Sequence, residues 1–136
     1  MRRMAMALAG VVAGASVTAV AHAQGPQATE IAPGDSVTIV HQRVFDRGPA
    51  VRVPGKRLDV QYTTTIPSTD AAARLQQADR AAAYFGPHAV KAGARRLSIG
   101  ICDTKACVER RDPPSEWHLY ERGHEGWRRV DPDRMR

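Results

Sequence analysis

The 136-residue chain has few aromatic residues and no cluster of glycines. Aromatic residues make up 5% of the sequence, and large apolar side chains to line a deep pocket are therefore scarce. The glycines occur singly, so no glycine-rich loop is present to hold a phosphate group. No internal repeat is visible either. These absences disfavour an enzyme without excluding one, because a catalytic site can assemble from residues that are distant in sequence.

Long apolar runs are missing after residue 23. Before it, two arginines at positions 2 and 3 precede an almost unbroken stretch of apolar or small residues over 5–21. The tripeptide AHA at 21–23 then matches the small-x-small pattern that signal peptidase cleaves. We therefore expect 1–23 to be a cleaved secretory signal peptide. The alternative, an uncleaved anchor, is disfavoured because the run lies at the short limit for spanning a membrane.

Export and charge together limit the partners. The sequence has 20 Lys and Arg against 14 Asp and Glu, and the predicted cleavage removes two of the arginines, which leaves 18 against 14, a net charge of +4. We expect a periplasmic or secreted protein with no stable membrane span after cleavage. The positive charge favours an envelope protein partner, an anionic glycan or an anionic lipid, and export argues against nucleic acid. The alternative is that the charge only keeps the surface soluble.

The sequence after the signal peptide predicts one domain. Residues 24–35, with two prolines and two glycines, have the composition of a flexible leader. Residues 36–131 form the predicted domain, and 132–136 a frayed tail. Alternating apolar residues predict strands in SVTIVHQRVF, which begins at residue 36, and in RLDVQYTTT, which begins at residue 57.

One amphipathic helix is predicted after these strands. The sequence PSTD at 67–70 offers capping side chains. An apolar stripe then recurs at helical spacing. Gly86-Pro87 is expected to end or kink the helix, with Gly93 ending any extra turn. The stripe consists of Ala71, Leu75, Ala78, Ala82 and Phe85.

A final hairpin is predicted in SEWHLYERGHEGWRRV, with Trp117 and Leu119 on one face and His118 and Tyr120 on the other. The resulting fold class is α+β. We expect a small antiparallel sheet of four to six strands, covered on one face by a single amphipathic helix, in the order β-β-α-β-β-β.

Only two cysteines are present, Cys102 and Cys107, and they are expected to form a disulfide in an oxidising compartment. The sequence before Cys102 alternates like a strand, so a four-residue loop, DTKA, would place Ile101 opposite Val108 in a hairpin with outward-facing sulfurs. A redox-active pair more often has two intervening residues at a helix start, and zinc would need two more ligands. The pattern favours a structural disulfide.

Paired arginines supply the candidate binding residues. In the predicted hairpin, Arg110 and Arg111 approach Arg95 and Arg96, and the nearby KR at 56–57 extends a basic edge. Arginine binds carboxylates and phosphates through two parallel hydrogen bonds. We therefore predict a non-enzymatic binding domain, such as an envelope accessory factor, an inhibitor or an immunity-type protein. The alternative is that these charges protect sheet edges from aggregation.

The competing hypothesis is a small envelope enzyme, with or without zinc, built around His118, Glu121 and His124. Two histidines and a carboxylate match the ligand types of a catalytic zinc site. Their convergence around the turn does not follow from their spacing, however. We therefore expect no cofactor and no metal.

Overall fold

The structure is a computed structural model that describes residues 26–47 and 55–131. The predicted signal peptide and the predicted tail, 132–136, lie outside the described residues. The elements in chain order are β1 (Gln27–Ala32), β2 (Asp35–Arg47), β3 (Gly55–Thr63), α1 (Ala71–Lys91), β4 (Arg96–Ile101), α2 (Lys105–Val108), β5 (Glu116–Gly123) and β6 (Gly126–Val130).

The six strands form one sheet in sequence order, β1-β2-β3-β4-β5-β6. Four of the five strand pairs are antiparallel, and β3 pairs with β4 in parallel. The parallel pair follows from the connection, because a helix that joins two neighbouring strands returns the chain in the same direction. The α+β class, with one main helix and a mostly antiparallel sheet, is confirmed. The predicted order was wrong, since three strands precede α1.

The additional strand comes from the segment predicted as a flexible leader. Within 24–35, β1 pairs with β2, and Thr29 lies opposite Val37. A tight turn joins the two strands, with Gly34 at φ 74°. Ile31 is buried in the core. The single large apolar residue of this segment is too weak a signal for a strand, and its burial is decided by the helix that packs on it.

Helix α1 has well-defined ends. The Asp70 side chain accepts a hydrogen bond of 3.1 Å from the Ala73 backbone N–H, as predicted for a cap. At the other end, Gly93 adopts φ 79° and the Ala94 N–H donates to the Ala89 carbonyl at 2.8 Å. This is a Schellman ending, which needs the left-handed conformation that glycine adopts without strain. The helix does not end at Pro87; it continues through it to Lys91.

The core lies between α1 and the middle of the sheet. Ala78, Ala82 and Phe85 are buried as predicted, while Ala71 is exposed and Leu75 is half-buried. Because the helix presents mostly alanine, it lies close to the sheet. The sheet side of the core consists mainly of Leu58, Val60 and Tyr62 from β3 and Leu97, Ile99 and Ile101 from β4.

The opposite face of the sheet is partly covered by the loop between α2 and β5. On β4, Ser98 and Gly100 alternate with the core residues and belong to this second face. A Cβ atom at Gly100 would lie 2.8 Å from Cγ of Pro114 and 2.9 Å from Cζ3 of Trp117. Gly100 therefore allows this loop to approach the sheet closely, although Trp117 itself remains 37% exposed.

Candidate functional site

The two cysteines form a disulfide, with their Cα atoms 5.4 Å apart, as predicted. The predicted hairpin is wrong. Residues 105–108 form the single helical turn α2, in which the Thr104 hydroxyl caps the Cys107 N–H at 3.1 Å. Strand β4 already has β3 and β5 as neighbours, so no edge remains for a strand through Val108. Both cysteines are buried, so the sulfurs do not face outward.

The loss of this hairpin separates the four predicted arginines. Arg96 begins β4, whereas Arg110 and Arg111 follow α2 beyond the other end of that strand. Five residue steps of a strand span about 17 Å. Arg111 is paired with Glu109 at 2.7 Å. The four arginines therefore do not form the single edge that the hairpin register predicted.

Arg110 belongs to the second face of the sheet. Burial lowers the pKa of His41, and the positive charge of nearby Arg110 lowers it further. On the same face, Asp59 is buried and accepts a 2.6 Å hydrogen bond from Nε of Arg57. The Ser98 hydroxyl also donates to Asp59.

A second charged cluster joins α1 to the loop after β4. The Arg74 side chain is 3% exposed and binds the Asp103 carboxylate at 2.6 Å and the Ile66 carbonyl at 2.9 Å. The Arg74 guanidinium, followed by the Ser115 hydroxyl, holds the pKa of Asp103 below its usual value. Since the N–H donors of Arg74 already bond to groups within the fold, this cluster stabilises the contact between α1 and the loop after β4.

The residues of the alternative enzyme hypothesis do not converge. His118 is held by Glu116 at 2.6 Å. Glu121 is three positions further along β5, and strand alternation therefore places it on the opposite face. His124 lies beyond Gly123 in the turn to β6. Within 26–47 and 55–131, no three His, Cys, Asp or Glu side chains are grouped to hold a metal ion.

Basic side chains from separate segments do meet at the end of the sheet where β4 begins and β5 ends. The Arg95 N–H donates to the Lys56 carbonyl at 3.4 Å, and the Arg122 N–H donates to the Arg95 carbonyl at 3.0 Å. Lys56 also lies against Gly93, next to the last turn of α1. We call this cluster the basic end and define it as the exposed residues Lys56, Lys91, Arg95, Arg122 and His124.

Three residues of the basic end, Arg95, Arg122 and His124, line a pocket of about 540 Å³ together with Gly123. A second pocket, of about 350 Å³, lies on the other side of Arg95 and includes both Asp46 and Glu121 in its lining. Only the first has a lining whose charged residues are all basic. Its two guanidinium groups are suited to a carboxylate or phosphate group, which accepts paired hydrogen bonds.

A groove of about 780 Å³ shares Arg122, Gly123 and His124 with this pocket and runs between α1 and the β5–β6 hairpin. Gly86, Pro87, Val90 and Trp127 form the apolar part of its lining. A Cβ atom at Gly86 would clash with the Trp127 indole, so the glycine allows the ring to lie against the helix. Trp127 is partly buried and packs against the core cluster.

Sequence reasoning identified Arg95, Lys56 and His124 but assigned them to two different hypotheses, and it missed Arg122. The signal for Arg122 was present, because it lies near the end of a predicted strand next to the turn. What sequence could not provide was the pairing of β4 with β5, which brings Arg122 to Arg95. Arg96, which was also predicted as a binding residue, is largely buried. In the sheet it lies opposite Arg57 of β3 on one side and Glu121 of β5 on the other.

Comparisons with protein-family models, curated proteins and solved structures gave no match. Among the residues that the structure describes, no helix combines the length and the apolar character needed to cross a membrane.

Proposed function

We propose that this protein is a small exported binding domain that recognises an anionic group of its partner at the basic end. The observation that carries the proposal is the convergence of Arg95, Arg122 and His124 around one pocket without an acidic lining residue. Two segments that are far apart in sequence contribute these side chains, the residue before β4 and the end of β5 with its turn. Edge protection alone does not require such convergence, since isolated charges along a strand are sufficient for it.

The remaining features are consistent with an exported protein. A disulfide is stable in an oxidising compartment such as the periplasm or the extracellular space. The predicted signal peptide would direct the chain to such a compartment. The partner classes are those that carry carboxylate or phosphate groups: an acidic envelope protein, an anionic glycan or an anionic lipid.

The test is co-purification of the tagged protein from a native envelope extract, washed at low and then at high salt. Three versions are compared: the unaltered protein, Arg95→Ser/Arg122→Ser, and the matched control Arg110→Ser/Arg111→Ser. The control removes the same charge at the other end of β4. We expect a partner to be retained by the unaltered protein and the control, and to be lost with Arg95→Ser/Arg122→Ser.

Equal retention by all three versions would contradict a role for the basic end in binding. Loss with the control variant alone would move the binding surface to the other end of the sheet. Circular dichroism and thermal unfolding of each variant establish that it is folded, which is expected because all four side chains are exposed.

A further inference from the structure

The basic end and the apolar groove share three residues, Arg122, Gly123 and His124, and so form one continuous amphipathic surface. From the charged side, the surface passes to Val90, Pro87 and the half-buried Trp127. Val90 is 41% exposed and contributes apolar surface next to these cations. A cation cluster beside an exposed apolar strip suits a ligand with one anionic end and one apolar end.

An ion pair lies at the far end of the groove, with the Asp79 side chain 47% and the Arg129 side chain 43% exposed. Asp79 accepts a hydrogen bond of 2.8 Å from the Tyr120 hydroxyl and pairs with Arg129 at 3.4 Å. Burial, and then this hydrogen bond, raise the pKa of Tyr120, so the hydroxyl keeps its proton. The acidic charge of Asp79 is thereby compensated within the fold. The basic charges at the other end therefore set the direction in which a ligand would lie.

The dimensions fit an extended chain. The groove follows α1 from Asp79 to Lys91, a distance of twelve residue steps or about 18 Å at 1.5 Å per step. On the helix side, the apolar lining recurs at helical spacing along one face of α1 and consists of Ala83, Gly86, Pro87 and Val90, and Trp127 of β6 lies opposite. An apolar row along a helix suits an extended alkyl chain.

We propose that the groove binds a single-chain anionic amphiphile, with its carboxylate or phosphate at Arg95, Arg122 and His124 and its alkyl chain along Val90, Pro87 and Trp127. This inference rests on the proposed function and names the ligand class for the same basic end. Glu125 lies at the exposed tip of the hairpin and lines the groove, and its carboxylate would repel an anionic head group. The head group must therefore lie on the Arg95 side of the turn.

The experiment titrates the purified protein with alkyl phosphates of increasing chain length, below their micelle concentrations. Trp127 reports binding by fluorescence in a Trp117→Phe background, since Trp117 lies on the other face of the sheet. Calorimetry on the unaltered protein gives an independent affinity. Each methylene that the groove covers should raise the affinity about fourfold. Decyl phosphate should therefore bind much more tightly than inorganic phosphate.

Two pairs of variants test the two halves of the surface. Val90→Glu should reduce decyl phosphate affinity at least tenfold, whereas the matched control Val44→Glu, at an apolar residue that is similarly exposed on β2, should leave it unchanged. Arg95→Ser/Arg122→Ser should weaken decyl phosphate and inorganic phosphate alike. Decanol and decyltrimethylammonium, which lack the anionic group, should bind at least tenfold more weakly than decyl phosphate.

The outcomes separate the two proposals. If inorganic phosphate binds as tightly as decyl phosphate and both depend on Arg95 and Arg122, the amphiphile proposal is overturned and the anionic site remains. If no alkyl phosphate binds and the envelope partner of the co-purification experiment still requires these arginines, the occupant is a macromolecule instead. If neither requires them, both proposals fail. An affinity that increases with chain length equally in Val90→Glu would also overturn the assignment to this groove.

Discussion

At the scale of single residues, Gly100 shows how an absent side chain shapes the second face of the sheet. Pro114 and Trp117 approach so closely that a Cβ atom would lie 2.8 Å and 2.9 Å from their nearest carbons. Gly123 also lies in a strand, but a Cβ atom there would lie 3.6 Å from its nearest neighbour, the Gly126 carbonyl oxygen, which is an ordinary van der Waals distance. The two glycines therefore form a matched pair for testing this packing.

We expect Gly100→Ala to lower the free energy of unfolding by about 1–3 kcal/mol, because the added methyl group forces the loop away from the sheet. Gly123→Ala should change it by less than about 0.5 kcal/mol. Urea unfolding monitored by circular dichroism measures both. Equal effects of the two substitutions would show that the loop does not pack against Gly100.

A second residue-scale prediction concerns Arg74, which is buried and bonded to Asp103. Arg74→Met should cost about 2–3 kcal/mol of stability, somewhat less than for a fully buried pair because the Asp103 side chain is 31% exposed. Arg80→Met, on the same helix, removes the ion pair with Asp35 and serves as the control. Since Arg80 is 42% exposed, its loss should cost less than about 1 kcal/mol.

The cost of Arg74→Met should depend on pH. Arg74 lowers the pKa of Asp103 in the folded state, so the pair stabilises the protein fully above the unfolded pKa of about 3.9. That stabilisation is lost as the pH falls through the lowered folded pKa. The difference in unfolding free energy between the unaltered protein and Arg74→Met should therefore be constant from pH 7 to about 5 and shrink below about 4. A difference that stays constant to pH 2 would show that charge is not its cause.

At the scale of elements, the disulfide holds the helical turn α2 against the end of β4. It closes a loop of about six residues, and the chain-entropy model gives about 2 kcal/mol of stabilisation for such a loop. Reduction should lower the free energy of unfolding by about that amount. The variant Cys102→Ala/Cys107→Ala should be insensitive to the reductant. Intact mass before and after alkylation checks the bond directly, and free thiols in freshly purified protein would contradict it.

At the scale of the whole molecule, β1 closes one side of the core. A protein that begins at residue 35 lacks β1. Its core loses the buried Ile31 side chain, and β2 loses its pairing partner on that side. We expect it to be less stable by about 2–3 kcal/mol, the contribution of burying one large aliphatic side chain. A protein that begins at residue 26 keeps β1 and is the control. Equal stability would show that 24–35 acts as the flexible leader that its composition predicts.

Much of the local structure follows from the sequence because it depends on neighbours in the chain. The alternation of Leu58, Val60 and Tyr62, the cap at Asp70 and the position of the last hairpin needed only patterns of two to four residues. The pairing of Cys102 with Cys107 needed only their number and the predicted compartment. These predictions are confirmed by the described residues.

The tertiary structure decided which strands become neighbours and which charges meet. The sequence LSIGIC predicts a strand, but only the crossover through α1 places that strand beside β3 and so leaves no edge for a cysteine hairpin. The same arrangement separates Arg110 from Arg95 and brings Arg122 to it. Strand pairing is a long-range choice made by the burial of a shared core. Local pattern therefore determined β3, α1 and the β5–β6 hairpin, whereas packing determined β1, α2 and the candidate site.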